Sequence, residues 1–149
     1  MQKISVCFIG FILYTLVSSC NPTQEQNQII SQHGGQKAKL EVFYFHPTMR
    51  CAACNAVENN TIKVLQESFH SQVENGTIRF VSYNMEEDSN EALVEKYEIS
   101  FSSLLLIRKD SLNEIKTDFT AKAFQYALAK PLKYKEILKT EIDKNLKMH

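Results

Sequence analysis

The chain has 149 residues, with 17 Lys plus Arg against 17 Asp plus Glu, so its formal net charge is zero. That length supports one domain with a real core, and the charge balance carries no nucleic-acid footprint. Tryptophan is absent and there are four cysteines, two of them in the first twenty residues, so a disulfide-stapled scaffold is excluded.

Lys3 opens a short positive start, and Ile4 to Val17 is an apolar stretch of signal-peptide length, too short to span a bilayer comfortably. It ends in Leu16-Val17-Ser18-Ser19-Cys20. Small residues before a cysteine there resemble a bacterial lipobox, in which cleavage exposes Cys20 as a lipid anchor. The alternative is an ordinary secretory signal cleaved near Ser19. Residues 1–19 are therefore expected to be a signal peptide, and residues 20–37, rich in Gln, Asn and Ser, a flexible tether. About seventeen such residues span roughly 20–25 Å. Both readings export residues 38–149, into a setting that permits disulfides.

In the exported body, Leu40 to His46 reads as a strand covered on both faces, because it is nearly continuous apolar, aromatic and branched residues. A long helix is expected from Ala52 to about Gln72, with Val57, Thr61, Val64, Leu65 and Phe69 recurring at three- and four-residue steps. Asn75-Gly76 turns the chain into a second strand, Thr77 to Tyr83. The acidic residues of Met85-Glu86-Glu87-Asp88 read as charges favouring a helix start, and Asn90 to Tyr97 as that helix. Ser103 to Lys109 and Leu112 to Asp118 form a hairpin around Asp110-Ser111. Thr120 is expected to cap a helix through Ala129, and Pro131 to begin a last one whose stripe is Ile137, Leu138 and Ile142.

The chemistry sits in Thr48-Met49-Arg50-Cys51-Ala52-Ala53-Cys54, where the first strand hands over to the helix. Free N–H groups and the positive dipole end of a first helical turn favour a thiolate. Arg50 adds a cation beside Cys51. Sulfurs three residues apart on a helix face one side and can close a disulfide.

These elements resemble the thioredoxin superfamily. The likeness runs from about residue 38 to 129 and includes Tyr97-Glu98-Ile99-Ser100-Phe101-Ser102-Ser103-Leu104-Leu105-Leu106-Ile107, which is similar to the family's strand entry. The chain also resembles bacterial lipid-anchored thioredoxin-like proteins labelled as nitrophenyl compound nitroreductase or arsenic-operon subunits. The resemblance implies an α/β fold with a central mixed sheet flanked by helices. It further implies thiol–disulfide exchange, with Cys51 attacking as thiolate, Cys54 resolving the mixed disulfide, and Arg50 assisting. Phe101 and Ser102 would line the substrate site. No cofactor is implied beyond the redox-active disulfide. The expected partners are a protein thiol or disulfide and, through the lipid, the periplasmic side of a membrane; a monomer is expected.

Three departures from the family pattern stand out. Arg50 replaces the tryptophan before the first cysteine, and Tyr44, Phe45 and His46 stand where the family often carries a buried acid. Ser102 occupies the position of the cis-proline, so a trans bond is expected there. Without that proline a second reading stays open: the two thiols, joined by His46, hold a soft metal or arsenite. His46 can equally be a strand-end histidine with no role.

Overall fold

The computed structural model describes residues 38–110 and 113–148. The expectations for the signal peptide, Cys20 and the tether fall on residues 1–37 and lie outside the described residues.

Strand β1 (Leu40–His46) is buried along its whole length. Its apolar run demands cover on both faces, and it receives it by lying inside the sheet. β2 (Ile78–Asn84) pairs with it in parallel and β3 (Ser103–Lys109) antiparallel, while β4 (Glu114–Asp118) adds to β3, giving the order β2-β1-β3-β4. Leu40, Val42 and Tyr44 face one core and Phe43 and Phe45 the other. The parallel pair requires a crossover helix, which α1 supplies. The result is α/β, a central mixed sheet with helices on both sides, as expected.

α1 (Ala52–Ser68) buries Cys54, Val57, Glu58, Thr61, Val64 and Leu65. The expected single helix to about Gln72 is instead two. Phe69 leaves helical geometry at φ −135°, and α2 (His70–Glu74) follows. No Gly or Pro marks this kink. Phe69 is 2 % exposed, and hydrogen bonds continue across it, from Phe69 N to Leu65 O at 3.0 Å and from Val73 N to Phe69 O at 2.9 Å. Core packing of one ring bends the chain. Gly76, at φ 76°, then makes the turn expected at Asn75-Gly76.

A short 3-10 turn, Asp88–Asn90, leads into α3 (Glu91–Tyr97), which covers Phe43, Phe45, Leu105 and Ile107. On that same face of the sheet, Glu41 is buried and ion-paired to Arg79 and Lys109.

Thr120 does not cap α4 (Thr120–Tyr126). Phe119 holds the cap position, the Asp118 carboxylate accepts the Thr120 N–H at 2.8 Å, and the Thr120 hydroxyl accepts the Leu104 N–H at 3.0 Å. The helix also stops three residues short of Ala129. α5 (Pro131–Lys147) begins at the proline, as expected. It buries Tyr134, Leu138, Ile142 and Asn145 against the sheet, and the Tyr134 and Thr61 hydroxyls meet at 2.6 Å. Among the described residues no helix is long and apolar enough to cross a membrane.

Candidate functional site

Cys51 is the N-cap of α1, with extended backbone (φ −83°, ψ 169°), and its sulfur accepts the Cys54 N–H at 3.3 Å. A cap must satisfy one of the orphan donors of the first turn, and here a thiol sulfur does so. Cys51 is exposed and Cys54 buried; both are free thiols, with Sγ atoms 2.8 Å apart. A disulfide, at about 2.05 Å, needs only a small approach of the two sulfurs.

The approach loop is pinned by the C-terminal end of β2 and the two residues after it. Glu86 accepts the Thr48 N–H at 3.0 Å, Asn84 Nδ2 donates to the Thr48 hydroxyl at 3.0 Å, and Met85 N donates to His46 O at 2.8 Å. The Thr48 contacts hold the Glu86 carboxyl below the usual carboxylate range. Of the acidic residues expected to favour a helix start, Asp88 lies in a first turn. Glu86 instead reaches across to the cysteine loop.

Beneath the pair, the Tyr44 hydroxyl donates to Cys54 O at 3.0 Å, and the Ser102 hydroxyl lies 3.8 Å from Cys54 Sγ. Burial pushes the Cys54 thiol up, but hydrogen bonds from the Cys51 side, Ser102 and Tyr44 outweigh it, and the net shift is downward. Tyr44 is raised well above an ordinary phenol, first by burial and then by Cys54.

Arg50 makes its close contacts away from the sulfurs. Its guanidinium is ion-paired with Glu58, its Nε donates to His46 Nδ1 at 3.0 Å, and one Nη lies 3.4 Å from the Ser82 hydroxyl. No hydrogen bond runs from it to either sulfur among the described residues. The reason is the buried Glu58 carboxylate, which needs a counter-charge more than an exposed sulfur does. Glu58 and Ser82 escaped the sequence reading. A signal for Glu58 existed, since it lies four residues after Cys54 on the buried stripe of α1. Arg50 also occupies His46, whose two ring nitrogens both face the guanidinium. The trio Cys51, Cys54 and His46 is not brought together, and no other group of three His, Cys, Asp or Glu fit to hold a metal forms among the described residues.

Phe101 is 65 % exposed, and the bond to Ser102 is trans, since no cis peptide occurs among the described residues. These two residues, with Thr120, Ala121 and Phe124, line a shallow open groove of about 410 Å³. Met49, 87 % exposed, adds a second apolar side chain two residues before Cys51. An exposed sulfur with a second sulfur behind it and apolar surface nearby can exchange a disulfide with an incoming chain.

No family model and no curated protein matches the chain. Among solved structures, it is similar to a malarial protein, with 17 % identity over 61 % of this chain and 98 % of that one, at a TM-score of 0.38. It is also similar to the oxidized form of mitochondrial thioredoxin 3 from Saccharomyces cerevisiae, with 18 % identity over 62 % of this chain and 78 % of that one, at a TM-score of 0.39.

Proposed function

We propose that this protein is a thiol–disulfide oxidoreductase acting on protein substrates. The observation that carries the reading is the pair itself: an exposed Cys51 capping α1, with the buried Cys54 sulfur 2.8 Å behind it. Cys51 forms the mixed disulfide, Cys54 resolves it, and the redox-active disulfide is the whole redox equipment. The apolar groove of Phe101, Ser102 and Phe124 supports a polypeptide substrate. The signal-like residues 1–19 and Cys20 support export and a lipid anchor on the periplasmic side, with residues 20–37 as tether. The protein works as a monomer, without nucleic acid.

The test is trapping. Cys54→Ser should accumulate long-lived mixed disulfides through Cys51, because the resolving thiol is gone, while Cys51→Ser should trap nothing. If neither variant traps a partner, and the reduced protein instead binds zinc or arsenite stoichiometrically, the two thiols are a binding site and the oxidoreductase reading is wrong. Intact-mass analysis checks the anchor: acyl chains on Cys20 are expected, and their absence leaves secretion only.

A further inference from the structure

We propose that the hydroxyls of Tyr44 and Ser102 act as a donor pair for the Cys54 sulfur, making Cys54 the sulfur that departs as thiolate when the Cys51–Cys54 disulfide is opened. This rests on the oxidoreductase reading above.

Cys54 is 6 % exposed, and an ionised sulfur buried without donors is costly. The donors that sequence reasoning would assign are spent elsewhere. The Cys54 N–H goes to Cys51, and the Arg50 charge goes to Glu58 and His46. The groups placed against Cys54 are Cys51 at the start of α1, Tyr44 from β1, and Ser102 from the segment entering β3. In the mixed disulfide Cys51 carries no proton, so of these the two hydroxyls are the donors left at residue 54. Ser102 Oγ already lies 3.8 Å from the sulfur, a distance that shortens when the acceptor becomes ionised. The Tyr44 hydroxyl donates to the Cys54 carbonyl at 3.0 Å, which places an O–H beside residue 54, and the proposed role has it turn that hydrogen to the newly formed thiolate. Burial lifts the Tyr44 phenol far from ionisation, so it gives a hydrogen bond rather than a proton.

The exchange is reversible, and the two hydroxyls favour the direction that oxidises substrate. A substrate thiolate attacks the exposed Cys51 sulfur, the Cys51–Cys54 bond breaks, and its electron pair leaves on Cys54 between the two hydroxyls. A second substrate thiolate attacks the substrate sulfur of the mixed disulfide, and Cys51 leaves as thiolate. The substrate dithiol is oxidised by two electrons and the protein disulfide is reduced. A better stabilised leaving thiolate speeds the first step and raises the potential, so the protein is poised to donate disulfides.

The test uses the full exported chain in three variants, Ser102→Ala, Tyr44→Phe and Ser102→Thr. Two quantities are read: thiolate absorbance against pH in the reduced protein, and the equilibrium with oxidised and reduced glutathione at pH 7. Ser102→Ala and Tyr44→Phe should each move the Cys54 titration to higher pH. Each should also shift the glutathione equilibrium about three- to tenfold toward the oxidised protein, tenfold being about 30 mV for this couple. Ser102→Thr, which keeps the hydroxyl, should restore both. If Tyr44→Phe does not fold, Ser102→Ala and Ser102→Thr decide the matter. The proposal is overturned if Ser102→Ala leaves both quantities within twofold of wild type. Failure of the wild type to form any disulfide with glutathione sinks the oxidoreductase reading and the leaving-group role with it. A titration still displaced in Ser102→Ala would then show separately that the hydroxyl acts on the sulfur.

Discussion

Arg50→Met should destabilise the domain by about 3 kcal/mol, because it leaves the Glu58 carboxylate buried without its counter-charge. The Glu58 side chain is 8 % exposed and Arg50 20 % exposed. Removing one partner of a buried pair costs about 3–5 kcal/mol, and the partial exposure of Arg50 lets water replace some of it, which favours the low end. Against a typical domain stability of about 5–15 kcal/mol, that is a large fraction. The double variant Arg50→Met/Glu58→Leu removes both charges and should return to within about 1 kcal/mol of wild type, since an apolar pair has no desolvation cost to offset. Equilibrium urea unfolding of the reduced protein measures this as a lowered midpoint at unchanged slope. A loss below about 1 kcal/mol in Arg50→Met, or a double variant no more stable than the single, would refute the argument that Arg50 serves Glu58.

Two further predictions concern stability. The Glu114 carboxyl is raised by burial, but the Tyr97 hydroxyl at 2.6 Å and Lys96 at 3.0 Å more than offset this and hold it below its ordinary value of 4.5. A carboxylate with a depressed folded pKa stabilises above its unfolded pKa and loses that contribution as pH falls through the folded one. The stability gap between wild type and Glu114→Gln should therefore be constant above pH 4.5 and shrink below it; a gap that widens in acid would contradict the sign. Tyr134→Phe removes the hydroxyl that meets Thr61 at 2.6 Å in the buried α1–α5 contact. Thr61 keeps its bond to Val57 O at 2.8 Å, so thermal or urea unfolding should show a loss of only about 1 kcal/mol.

Several elements were legible in the sequence because their causes are local. β1 announces itself through seven nearly continuous apolar residues, and a strand covered on both faces must lie inside a sheet. Asn75-Gly76 and Pro131 mark a turn and a helix start by backbone restriction alone. The two cysteines stand at a strand-to-helix junction, and three-residue spacing on a helix brings their sulfurs to one side.

Tertiary structure decided what depends on partners far along the chain. The kink at Phe69 has no Gly or Pro to signal it, because the force is the burial of one ring in the core. Thr120 looks like a cap by type, yet its hydroxyl serves Leu104, sixteen residues earlier, once β3 lies beside it. Arg50 is adjacent to Cys51 in sequence, but proximity along the chain does not direct a long side chain. A buried carboxylate eight residues later and the His46 ring four residues earlier compete for the guanidinium, and burial raises the worth of that pairing over one with an exposed sulfur. Cys54 itself is named by the motif, while its surroundings are not. Only the packing of β1 and the β3 entry against α1 brings the hydroxyls of Tyr44 and Ser102 to it.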